Sequence, residues 1–301
     1  MSELATLAAG ELEATFAPDV GMVGSSLRHR GEELLGERGG LAAYIERGST
    51  FGIPFLHPWA NRLGDTRYRA AGRDVDIDPD DPRVRRDPAG LPIHGLLAAS
   101  PYWEEEHLNG TTLKASLDFG AHPELLSAFP FPHRVQIEAG LSASALAITT
   151  TVTPTGDRPV PISFGFHPYL VLPGVPREDW RVTIPAAERL VLDDRLIPTG
   201  EQRPVSAIDD QPLRERTFDD GFAALARPEF ALAGGGRRIV VRFLEGYPFA
   251  QVYAPPDYDT VCFEPMTAPT DALRSGRGLQ LAEPGTSYRA AFSIKIEEED
   301  Q

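Results

Sequence analysis

Through most of this chain apolar and polar side chains alternate with a period of two, a rhythm that suits half-buried β-strands and not helices. TLKASLDF (112–119), VQIEAGLS (135–142) and LAITTTVTP (146–154) carry it, the last two joined by a short Ala/Ser link that reads as a hairpin. RRIVVRFLE (237–245), FAQVYAP (249–255), DTVCFEP (259–265) and SYRAAFSIKIE (287–297) follow, each bounded by Gly, Pro, Asn or Asp. Helical patterns are few and short: HPELLSAF (122–129) and TDALRSG (270–276) each allow a turn or two. No strand–helix–strand rhythm exists, which argues against a doubly wound α/β fold. The expected class is therefore all-β and antiparallel, with two sheets face to face. No linker divides residues 1–301 and no repeat of 20–50 residues is evident, so a single domain is expected. Residues 76–90 and 198–220 read as surface excursions, and GGG at 234–236 as a hairpin tip.

Composition narrows the partners. With 28 Gly and 28 Pro but 42% hydrophobic residues, the chain is turn-rich yet able to bury a large core. A net charge of −15 disfavours nucleic acid, which needs clustered cations, and disfavours anionic membranes. Cys262 is the only cysteine, so neither an internal disulfide nor a thiolate zinc cluster can form, and its apolar setting TVCFEP marks it as core. No stretch of 18 apolar residues and no basic-then-apolar leader is present, and a cytoplasmic protein is expected.

Familiar catalytic motifs are missing: no GxSxG elbow, no phosphate-binding P-loop, no GxGxxG after a strand. The seven histidines include no H-x-H or H-E-x-x-H pair, so no local metal site is expected. Four stretches break the alternating texture instead: FGIPFLHPWANRLGDTRY (51–68), LPIHGLL (91–97), SFGFHPYLVLPG (163–174) and CFEPMTAPTDAL (262–273). Singly, each has a plain reading. His94 can cap a turn, His167 can be a core histidine between Phe166 and Tyr169, and Arg62 can pair on the surface. Glu264 is harder to set aside. It ends an apolar strand, where burial raises a carboxyl's pKa toward the range useful for proton transfer near neutrality.

In order and spelling the four stretches resemble the aldose 1-epimerases, or sugar mutarotases. The likeness lies in G-x-P-x-x-x-P-x-A-N-R (52–62), H-G (94–95), G-F-H-P-Y (165–169) with L-P-G (172–174), and E-P-M-T-A-P (264–269). FPFPHRVQIEAGLS (129–142) adds the strand before the central hairpin. The resemblance implies a large galactose mutarotase-like β-supersandwich with an open sugar cleft and few short helices. It implies His167 as general acid at the ring oxygen and Glu264 as general base at the anomeric hydroxyl. It also implies His94, Arg62 and Asn61 as sugar contacts. FDDGFAAL (218–225) matches the context of a hydroxyl-binding aspartate, for which Asp219 is the choice and Asp220 the one-residue alternative. Departures are GDTRY (64–68), where relatives commonly carry Gly just before the tyrosine, the basic run PRVRRDP (82–88), and Asp271 where many relatives carry Asn.

The residues suit that chemistry on their own terms. Opening an aldose ring removes a proton from the C1 hydroxyl and adds one to the ring oxygen, so two proton carriers are needed and no metal or other cofactor. The expected partner is a small sugar. Two alternatives stand beside a free aldose: a hexose 6-phosphate, with Arg83, Arg85 and Arg86 as the phosphate cluster, and a sugar-binding protein without chemistry.

Overall fold

Along His133–Leu141 every second residue is buried, as a strand with one face on a core requires. It pairs with Ala145–Pro154 as a hairpin closed at Leu141↔Leu146. In the computed structural model, which describes residues 4–225 and 228–298, this hairpin lies within a nine-stranded antiparallel sheet. The sheet runs in the order Ile208–Pro212, Arg181–Ile184, Glu229–Gly234, Arg237–Glu245, Tyr288–Glu298, Ala145–Pro154, His133–Leu141, Thr112–Asp118, Glu104–Leu108. A second sheet carries the site. Its order is Pro198–Pro204, Ala186–Leu192, Phe218–Leu225, Phe249–Ala254, Val261–Met266, Gly165–Phe166, Phe55–Leu56, and Tyr169–Leu170 also pairs with Val261–Met266. Four N-terminal strands between Ala5–Ala9 and Glu32–Glu33 form a further sheet. The fold is thus all-β with three short α-helices among the described residues, the longest being Gly40–Arg47. None is long and apolar enough to cross a membrane.

Aromatic rings join the layers. Phe166 meets Phe292 of the nine-stranded sheet at 5.0 Å between centroids, and Phe263 meets Phe230 at 5.5 Å. Phe166 and Phe263 flank the two candidate proton carriers in sequence, so their burial locks the strand segments that present His167 and Glu264.

The stretch 198–220 is not an irregular excursion. It supplies an edge strand to each sheet, Pro198–Pro204 to one and Ile208–Pro212 to the other, before entering Phe218–Leu225. Both edge strands are exposed along most of their length, so neither has the buried face whose alternation would have marked it. Residues 76–90 do hold loops and turns, but Asp81 and Val84 are buried there and Asp87 reaches the site.

Candidate active site

Register brings Glu264 and His167 together. Val261–Met266 pairs with Gly165–Phe166 through Gly165↔Met266 and with Tyr169–Leu170 through Tyr169↔Cys262. Counting inward from either end sets His167 opposite Glu264. Pro168 breaks the strand there, since it has no N–H for the ladder. Gly165 is required next to this row, because a Cβ would lie 2.6 Å from the Pro265 carbonyl oxygen. The resulting pair has His167 Nε2 at 3.3 Å from Glu264 Oε1, with side chains only 7% and 2% exposed.

The same alternation separates the two candidate aspartates. Asp219 pairs with Tyr253, which pairs with Cys262, two residues from Glu264 and hence on its face. Asp219 therefore lies on the Glu264 face and Asp220 on the opposite one, where it meets Arg189. Asp219 accepts a hydrogen bond from Gln251 Nε2 at 2.6 Å and lies 4.0 Å from Arg62 Nη2. Its side chain is 35% exposed against 2% for Glu264, so the constellation runs from a dry floor to a wet rim.

Arg62 and His94 come from two segments that fasten each other. Arg62 bridges Ile93 antiparallel, and the His94 amide donates to the Asn61 carbonyl at 3.0 Å. Asn61 and His94 both hold left-handed backbone, φ 56° and 63°. Non-glycine residues adopt it seldom, and most often where function or tight packing demands it. Gly95 explains the second letter of H-G: at φ 71° an added Cβ would sit 2.1 Å from the His57 carbonyl oxygen. The His94 ring then stands edge-on to His167, 5.6 Å between centroids.

Arg62 is held on three sides. Nε donates to Asp87 Oδ2 at 2.7 Å, Nη1 donates to Asn61 Oδ1 at 3.1 Å, and the Arg62 carbonyl accepts from the Asp271 amide at 3.0 Å. Asn61 is itself 5% exposed and its side-chain oxygen is spent on Arg62, so it stands behind the arginine. Asp271 caps the Gly64 amide at 2.7 Å and meets Arg274, a use that suits the carboxylate found here.

Burial sets the electrostatics. It pushes the Glu264 carboxyl well above the usual range; Asp219 adds to the rise and Arg62 opposes it. Burial lowers the His167 imidazole well below its ordinary value, and His94 and Arg38 lower it further. His94 drops to about 3 for the same reason, with Arg62 and Arg85 contributing. A raised acid beside a lowered base holds one proton between them over a wide span of pH. Glu264 Oε2, His167 Nδ1 and His94 Nδ1 are buried without a hydrogen-bond partner among the described residues, so each has capacity left for hydroxyl groups.

All six expected residues thus lie in one neighbourhood. Several others were not foreseen: Asp87 and Gln251, which orient Arg62 and Asp219; Tyr253, edge-on to His167 at 5.7 Å; and Arg38. Tyr169 stacks flat on His167 at 4.4 Å. Trp59 and Phe166, which also lie in the motif stretches, are wholly in the core and present no face to a sugar. The arginines of 82–88 are also committed elsewhere. Arg83 pairs with Asp81, Arg86 donates to the Gly90 and Pro79 carbonyls, and Arg85 donates to Gly48 while lying over Tyr44.

Solved structures share this architecture. A galactose mutarotase-like protein from Clostridium acetobutylicum superposes with a TM-score of 0.85 at 19% identity, covering 99% of this chain and 96% of that one. A putative aldose 1-epimerase from Escherichia coli K12 gives 0.80 at 20%, covering 99% and 100%. The Slr1438 protein of Synechocystis gives 0.80 at 23%, covering 99% and 97%. In sequence, the uncharacterized protein YihR of Escherichia coli K12 is 24% identical over 248 residues, 79% of this chain and 77% of YihR. The aldose 1-epimerase family model matches residues 4–295, taking in every residue of the neighbourhood just described, and the chain belongs to that family.

Proposed function

We propose that this protein interconverts the α and β anomers of an aldose by opening and reclosing its ring. The observation that carries the reading is the buried Glu264–His167 contact at 3.3 Å, because the two atoms that exchange protons in ring opening are bonded to the same carbon.

The resting pair holds its proton on Glu264, the state burial favours. A sugar entering from the Asp219 rim offers hydroxyls to Asp219, Arg62 and His94. Transfer of the proton from Glu264 to His167 then primes the site. The carboxylate takes the proton from the C1 hydroxyl, the electron pair left on that oxygen forms the carbonyl, the C1–ring-oxygen bond breaks with its pair going to the ring oxygen, and His167 protonates that oxygen. The pair has neither gained nor lost a proton. Rotation about C1–C2 and reversal of the same steps give the other anomer. Each carrier supplies ~10²–10⁴ in rate.

The test is polarimetry or NMR of freshly dissolved α-anomers of glucose, galactose, xylose and arabinose, with glucose 6-phosphate alongside. The reading expects equilibration well above the spontaneous rate for at least one. Binding without acceleration of any sugar makes the protein a non-catalytic sugar binder.

A further inference from the structure

Arg38 lies next to the catalytic pair and no sequence motif pointed to it. Its Nη1 donates to the Tyr169 hydroxyl at 3.0 Å, and that hydroxyl is 3.4 Å from His167 Nε2. The guanidinium stands over the rings of Tyr169 and Tyr258, at 5.2 and 4.7 Å from their centroids. It is a half-buried cation with no carboxylate within 4.0 Å among the described residues, in a chain whose net charge is −15. Its Nε is buried without a hydrogen-bond partner among the described residues. The backbone of Arg38 is left-handed, φ 45°, as at Asn61 and His94. The two tyrosines favour the charged form, and a guanidinium has five N–H donors, more than these partners use.

We propose that Arg38 is an anion receptor, and that the substrate is an aldopyranose carrying a negatively charged group on the exocyclic carbon beside the ring oxygen. This rests on the mutarotase reading for the placement of the ring. There His167 faces the ring oxygen and Glu264 the C1 hydroxyl. The ring oxygen has two carbon neighbours, C1 and C5. C1 is on the Glu264 side, so C5 and its exocyclic carbon C6 project past His167. Arg38 belongs to that end: it shares Tyr169 with His167, while the charges bearing on Glu264 are Asp219 and Arg62. From the ring oxygen to a terminal oxygen on C6 is a span of roughly 4 Å, one side chain's reach. A guanidinium is suited to it, since its planar fork binds carboxylate, phosphate and sulfate oxygens two at a time. Tyr169 and Tyr258 hold the fork flat, and the basic run at 82–88 is not needed for the anion.

The experiment compares α-anomers of glucose, glucuronate, glucose 6-phosphate and glucose 6-sulfate with wild type, Arg38→Gln and Arg38→Lys. Anomer exchange is followed by NMR and equilibrium binding by calorimetry. The three anions separate carboxylate, phosphate and sulfate as the source of the charge. Wild type is expected to favour at least one anion over glucose in kcat/KM. Arg38→Gln should cut the anion-to-glucose ratio by roughly 10- to 150-fold, the worth of a charged hydrogen bond, and Arg38→Lys should restore part of it. An unchanged ratio, or wild-type preference for glucose over every anion, overturns the proposal. Arg38-dependent binding of an anion that is not anomerised supports the receptor and sinks the mutarotase reading instead.

Discussion

Glu264 Oε1 lies 3.3 Å from His167 Nε2, and the two residues reach each other from a strand and a strand break almost a hundred positions apart in the chain. Their dependence on one another is the first prediction. Glu264→Gln keeps the side chain's shape but cannot take a proton, and His167→Asn removes the titrating ring. Each is expected to lower kcat by ~10²–10⁴ with KM little changed. The double variant should be far less impaired than the product of the single losses, because either carrier alone has no partner for the second transfer. The pH profile of kcat/KM should be a bell. Since burial raises the glutamate and lowers the histidine, its two limbs belong to the pair, and neither can be given to one residue. Near-wild-type turnover in Glu264→Gln would falsify the base assignment.

The same carboxyl should weigh on the fold. Glu264 has a folded-state pKa above its unfolded one, so the folded state holds a proton that the unfolded state releases as pH rises past about 4.5. Stability that Glu264 contributes in acid is therefore lost as pH climbs toward the raised folded value. Glu264→Gln has no proton to lose. Relative to wild type it is expected to melt higher at pH 7–8, with the gap closing as pH falls to about 4.5. Thermal unfolding across that range checks it, and a gap that is constant with pH removes the linkage.

How far the chain could be read depended on whether a feature leaves a local trace. Strands with one buried face, such as His133–Leu141, announce themselves by alternation. The exposed edge strand Pro198–Pro204 does not, nor do short pairs such as Gly165–Phe166 and Tyr169–Leu170, which are buried on both faces. Glu264 and His167 stood out because chemistry-bearing side chains interrupt apolar runs. Arg38, in a Gly-flanked turn, and Asp87, in an ordinary-looking Asp-Pro-Ala-Gly turn, owe their importance to contacts the local sequence does not encode. Asp219 and Asp220 could be told apart only by strand register.

Asp87 should act through Arg62. Its carboxylate accepts Arg62 Nε and the amides of Ala89 and Leu91. Asp87→Asn keeps the turn and weakens the hold on the guanidinium. It is expected to raise KM by roughly tenfold, as a weakened charged hydrogen bond would, with a smaller effect on kcat. In an Arg62→Ala background the same change should do little. Additive losses in the double variant would show that Asp87 works independently of Arg62.

Gly95→Ala is expected to be severe. Its Cβ would sit 2.1 Å from one backbone oxygen and 2.3 Å from the adjoining carbon of His57, and neither can yield as a flexible side chain can. The positive φ adds strain. A loss of about 3 kcal/mol or more is expected in urea unfolding, together with lost activity as His94 is displaced. A near-neutral midpoint would mean the 91–97 loop can shift outward without cost.

Acid should attack the core beneath the site. His57 Nε2 and His133 Nε2 are 2.8 Å apart, and both residues are almost wholly buried. The Phe131 carbonyl, 2.6 Å from His133 Nδ1, requires a proton on that nitrogen. His133 Nε2 must then accept, and His57 Nε2–H donates to it. Two neutral rings satisfy this arrangement, and protons on both Nε2 atoms would face each other at that distance. Burial lowers both, His133 to about 4 and His57 well below its ordinary value, the latter also through its neighbour. The unfolded chain protonates each at about 6.5, so stability is full above that value. It falls as pH drops, by roughly 1.4 kcal/mol per unit for each ring, until the folded value is reached. Raised carboxyls such as Glu264 and Asp271 work in the opposite sense at the lower end of this range, so the comparison must be between variants. His133→Gln keeps an acceptor for His57 but cannot titrate. It should start less stable at pH 8 and lose less on acidification, its slope between pH 6 and 4 smaller than wild type by up to one proton. Equal slopes in urea unfolding across that window would mean that His133 gains its proton without opening the core.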